Sequence, residues 1–141
     1  MPVQPYDHRS GATPMTLFII RASFLTAVLV FGGITYYIHS QEPPPSTVDP
    51  DTLRWGVLGI WGAITLALVV LSTRYRRPAP YTQRVGMAIA GWALGEAAAL
   101  VGGVDYFLTG IPDRYGVGVL IFVVALVMFP IPQEDGPRAM R

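Results

Sequence analysis

Three apolar runs, each long enough to cross a bilayer as a helix, constrain this chain more than any other feature. They cover residues 16–38, 53–72 and 85–108, and a shorter fourth run covers 113–129. About 20 helical residues cross a ~30 Å hydrocarbon core, with about 17 as the lower limit. A helix satisfies its own backbone N–H and C=O groups, which lipid does not do for it. Only 13% of the residues are charged, against about a quarter in an ordinary soluble domain. Mean hydropathy is +0.44. The expected fold class is all-α: an integral membrane four-helix bundle, one domain over 1–141, with polar tails at 1–14 and 132–141.

Charge excludes some roles and orients the rest. The formal net charge is +1, so the electrostatic footprint of a nucleic-acid binder is missing. The absence of cysteine excludes disulfides and thiolate metal sites. The ten basic residues are all arginine, which reads as codon usage in a GC-rich bacterium. Gln41-Glu-Pro-Pro-Pro-Ser46 reads as an extended loop, and Arg77-Pro-Ala-Pro80 breaks the chain between the second and third runs. That second loop carries Arg74, Arg76, Arg77 and Arg84 without an acid, whereas the first carries Glu42, Asp49 and Asp51. The positive-inside rule makes the arginine loop and both termini cytoplasmic. The expected location is the bacterial inner membrane, multi-pass, with lipids and other integral membrane subunits as partners. Tyr36, Tyr37, Trp55, Tyr106, Phe107 and Tyr115 fall at the expected outer interface, where amphipathic rings collect. The first run is too long for a signal-peptide core and lacks an A-x-A-like site, so it is read as a retained helix.

The chain reads as a duplicated hairpin. Phe31-Gly-Gly-Ile-Thr-Tyr-Tyr-Ile38 matches Val101-Gly-Gly-Val-Asp-Tyr-Phe-Leu108, and Pro50-Asp-Thr-Leu-Arg-Trp-Gly-Val57 matches Pro112-Asp-Arg-Tyr-Gly-Val117 with two residues deleted. Two spans per half imply a symmetry axis along the membrane normal. The alignment pairs Glu96 with Thr26 and Asp105 with Thr35.

Glu96 is the residue this framework makes conspicuous. A carboxylate at the bilayer centre costs roughly 2.5–3.5 kcal/mol on insertion scales. It must be protonated, paired, or turned toward protein. Gly91, Gly95, Ala99 and Gly102 form a small-residue stripe that suits close helix packing. Trp92, Glu96, Ala99 and Gly103 share an adjoining stripe. The plainest expectation is a buried polar contact from Glu96 to Thr26, Thr65 or Ser23. The alternative is a proton or cation site. Arg21 lies about seven residues shallower, or ~10 Å of helix rise, and is expected to snorkel to headgroups. Asp105 is expected to pair with Arg54 or Arg114 at the outer ends of the hairpins.

No nucleotide, metalloprotease, hydrolase or dinucleotide motif occurs. His8 and His39 lack helically spaced partners for a bis-histidyl haem. No catalytic residue, metal site or intrinsic cofactor is expected, and the chain is read as not an enzyme, with lipid or pigment bound at interfaces.

Trp92-Ala-Leu-Gly-Glu-Ala-Ala-Ala-Leu-Val-Gly-Gly-Val-Asp-Tyr-Phe-Leu-Thr-Gly110 resembles the third helix of a loosely defined group of small bacterial four-helix membrane proteins. The arginine turn and the proline after the fourth run look alike too. That group carries no settled activity. Glu96-Ala97 followed by Gly102 is also similar to the carboxylate helix of rotary ATPase proteolipids, where the acid holds the transported proton or sodium. Proteolipids place that acid on the second helix of a hairpin, whereas Glu96 is on the first helix of the second hairpin. The glycine-repeat helix is missing from the first run.

These readings leave three expected functions. The first is a non-catalytic accessory subunit packed against a larger membrane complex, photosynthetic or respiratory. The second is a proton- or cation-binding protein centred on Glu96. The third is a self-associating oligomer whose glycine stripe faces another copy.

Overall fold

Each apolar run becomes one helix in the computed structural model, which describes residues 12–41 and 50–133. Helix α1 is Pro14–Gln41 (28 residues) and α2 is Pro50–Tyr75 (26 residues). Helix α3 is Tyr81–Thr109 (29 residues) and α4 is Pro112–Met128 (17 residues). Helices α1, α2 and α3 are long and apolar enough to cross a membrane. Helix α4 rises only ~26 Å at 1.5 Å per residue. The first three helices overrun the apolar runs by several residues, such as His39, Ser40 and Gln41 in α1. Those additions are polar, so hydropathy alone does not count them. Most of the polar tails expected at 1–14 and 132–141 lies outside the described residues.

Local chemistry sets several ends. Thr13 precedes Pro14 and accepts a hydrogen bond from the Thr16 N–H at 3.2 Å, an N-cap followed by proline at the first helical position. Gly110 closes α3 in the left-handed region at φ 74°, donating its N–H to Tyr106 O at 2.8 Å. A residue with a Cβ is strained there, which is why glycine ends the helix. Pro112 then opens α4.

Helix α3 is the centre, and the other three pack on it. Its contact with α4 is the most extensive, and α1 and α2 each lie against α3 with no extensive contact between themselves. The two hairpins expected to be equivalent therefore differ: α3 and α4 pack closely as a pair, and α1 and α2 do not. The glycines of α2 fit this, since Gly56, Gly59 and Gly62 have nothing within 4 Å of a would-be Cβ. Neighbours give the directions. Arg21 lies over Trp92 and Phe31 lies against Gly103, so α1 runs parallel to α3. Gly95 meets Ala125 whereas Gly102 meets Arg114, so α4 runs antiparallel.

The end of α4 is where the four helices are tied together. The last carbonyls of a helix lack intrahelical donors. Arg21 of α1 donates to Leu126 O (3.1 Å), Trp92 of α3 to Phe129 O (2.8 Å) and Tyr75 of α2 to Pro130 O (2.7 Å). Each other helix thus supplies one donor. Arg21 was expected to reach headgroups; it turns inward because a helix C-terminus attracts a cation and Trp92 offers its ring face 5.8 Å away.

Candidate functional site

Glu96 lies partly buried on the α1 side of α3. The contacts of Arg21 with Trp92 and of Phe31 with Gly103 bracket it along the helix. It makes no hydrogen bond or ion pair with any described residue. The three partners expected for it are engaged or turned elsewhere. Thr26 is exposed and lies with Phe18, Ala22, Ser23 and Val30 on the outer side of α1. Ser23 Oγ donates to Ile19 O at 3.0 Å within its own helix. Thr65 is exposed beside a groove between α2 and α4. The reason is helical phase: α1 meets α3 through Leu17, Val28 and Thr35, and Thr26 stands on the opposite side of that heptad-like face. The repeat alignment pairs Thr26 with Glu96 in sequence, but the two side chains do not meet.

The small-residue stripe is occupied inside the chain. A Cβ on Gly95 would come 2.7 Å from Ala125 Cβ and 3.1 Å from Phe122 Cα. One on Gly102 would come 2.7 Å from Arg114 O, and Gly91 faces the Phe129 ring. Ala99 is fully buried, and Gly118 of α4 would press a Cβ to 3.0 Å from its Cα. The stripe is the seam between α3 and α4, so it is not open to a second copy. That corrects the expected use of these glycines in self-association.

At the far end of α3, Asp105 is 1% exposed. Its Oδ1 accepts a hydrogen bond from Arg114 Nη1 at 2.8 Å, across the turn that joins α3 to α4. Arg54, the other expected partner, is exposed on α2. Oδ2 of Asp105 and Nε2 of His39 are buried without a hydrogen-bond partner among the described residues. His39 stacks on Tyr106 at 4.9 Å between ring centroids.

The aromatic residues divide. Tyr36, Tyr37, Trp55 and Phe107 are exposed, as an interfacial belt requires. Tyr106 is buried and Tyr115 partly so, because both enter the α1–α3–α4 junction, where Tyr115 Oη donates to Val28 O at 2.6 Å. From sequence, Trp61 has no assigned role and Trp92 is placed only on the stripe it shares with Glu96. Trp61 Nε1 donates to Ala98 O at 3.0 Å, binding α2 to α3. The available signal was a bulky indole in an apolar run, since a buried indole N–H needs an acceptor.

Among the described residues no three His, Cys, Asp or Glu side chains gather as metal ligands. No protein-family model, curated relative or solved structure matches this chain.

Proposed function

We propose that the chain is a non-catalytic accessory subunit of a larger membrane complex and docks through the Glu96 side of α3. The observation that carries this reading is the open carboxylate of Glu96. It lies in the middle of a membrane-spanning helix, partly exposed, with no donor among the described residues. An unpartnered carboxylate there is costly, and a donor from a neighbouring polypeptide removes the penalty. Helix α1 supports the same reading, because only Leu17, Val28 and Thr35 of its 28 residues are buried, leaving most of its surface for lipid or partner helices. In this reading the termini are cytoplasmic, the helices form a four-helix bundle derived from a duplicated hairpin, and the host is a bacterial inner-membrane complex of bioenergetic type.

Mild-detergent purification from native membranes tests it. The wild type is expected to co-purify with at least one other integral membrane polypeptide. Glu96→Leu is expected to lose that partner while keeping its helical content by circular dichroism. Isolation of the wild type alone would sink the proposal.

The same carboxylate favours a second reading, a proton or cation site. That reading requires Glu96→Gln to abolish ion flux in reconstituted vesicles; unchanged flux removes it.

A further inference from the structure

The α2–α3 loop end of the molecule carries a cationic pocket. A pocket of about 390 Å³ is lined by Tyr75, Arg76, Arg77, Pro78, Ala79 and Arg84. Three of those six residues are arginines, and no acidic residue lies anywhere in 74–84. The floor is held rigidly. Tyr75 Oη donates to Pro130 O at 2.7 Å, its ring meets the Phe129 ring edge-on at 5.4 Å, and the Arg84 guanidinium lies over the Tyr75 ring, 5.8 Å from its centroid. The pocket lies where α2 ends and α3 begins. Helix α2 is ~39 Å long at 1.5 Å per residue, more than a ~30 Å hydrocarbon core, so its terminus reaches headgroup depth.

A separate apolar groove lies further along α2. It runs between α2 and α4, about 280 Å³ in volume, lined by Thr65, Leu68, Val69, Leu120, Val124 and Met128 among others. Its end at Met128 adjoins Phe129, which packs on Tyr75. Val69 is six residues from Tyr75, or ~9 Å along the helix. A cationic pocket at headgroup depth, with an apolar groove further along the same helix beyond the Tyr75–Phe129 ring contact, matches one kind of occupant, an anionic phospholipid.

We propose that the chain binds such a lipid, with its phosphodiester among Arg76, Arg77 and Arg84 and one acyl chain along the α2–α4 groove. Guanidinium groups present planar forks that suit phosphate oxygens, and basic pockets between membrane helices are a recurring headgroup site. Phosphatidylglycerol and phosphatidylcholine share their acyl chains and differ in headgroup charge, so the pair isolates the pocket's contribution.

Native mass spectrometry of the full chain in mild detergent, titrated with each lipid, tests the proposal. The wild type is expected to retain phosphatidylglycerol over phosphatidylcholine. The R76Q/R77Q/R84Q variant is expected to lose roughly a hundredfold in phosphatidylglycerol affinity, at about fivefold per arginine near an anionic headgroup. The R76Q/R77Q variant leaves the Arg84–Tyr75 contact intact and is expected to lose about twenty-five-fold on the same basis, which keeps the test open if the triple variant misfolds. R54Q, at the opposite end of α2, is expected to match the wild type. Inorganic phosphate at millimolar concentration is expected not to displace the lipid; displacement would make the site one for free phosphate and overturn the proposal. Equal retention of the two lipids by the wild type, or equal phosphatidylglycerol affinity in wild type and R76Q/R77Q, would also overturn it.

Discussion

Asp105 and Glu96 lie on one helix, yet only Asp105 has an ion-pair partner among the described residues. Asp105 is buried and holds Arg114 at 2.8 Å; Glu96 is partly buried and has no partner among the described residues. The difference predicts opposite responses to substitution. Removing one member of a buried pair leaves an uncompensated charge and typically costs about 3–5 kcal/mol. Asp105→Ala is therefore expected to destabilise the fold by about that amount in reversible SDS unfolding, whereas Arg54→Gln, at an exposed position, is expected to stay within about 0.5 kcal/mol. A small effect of Asp105→Ala would mean that the pair does not hold the turn. Residue identity made both acids conspicuous in the sequence. It placed Arg114 among the partners expected for Asp105, and Arg114 is the residue that pairs with it. It did not assign a partner to Glu96, because the expected contact to Thr26 depended on helical phase, and α1 turns Leu17, Val28 and Thr35 toward α3 instead.

At the scale of elements, hydropathy made the helices legible, because a run that must cross lipid has one way to satisfy its backbone. It could not show their polar ends or the unequal packing of the two hairpins. The glycine spacing on α3 did mark a close seam, and the missing information was which helix fills it. Helix α4 fills it, with Gly95 against Ala125 and Gly118 against Ala99. Side chains forced into a packed seam typically cost about 1–3 kcal/mol. Gly95→Leu is expected to destabilise by at least that much, measured by the same unfolding assay. Gly59→Leu, where nothing lies within 4 Å, is expected to change stability by less than about 0.5 kcal/mol. Equal losses at the two positions would contradict the seam.

The whole molecule has a well-filled middle and a bare perimeter. Helix α3 contributes eleven buried residues, among them Trp92 and Ala98, while α1 contributes three. Donors from α1, α2 and α3 converge on Leu126, Phe129 and Pro130 at one end, so the core is tied independently of anything outside it. What the perimeter leaves unfinished is the carboxylate of Glu96. Its neighbour Ala93 is exposed on the same helix, three residues away and therefore on a nearby part of its surface. The most direct test is a photo-reactive side chain placed at Ala93 and activated in native membranes. The account predicts a covalent adduct with a different integral membrane polypeptide, lost when Glu96→Leu is added; adducts with lipid or with a second copy of this chain alone would contradict it.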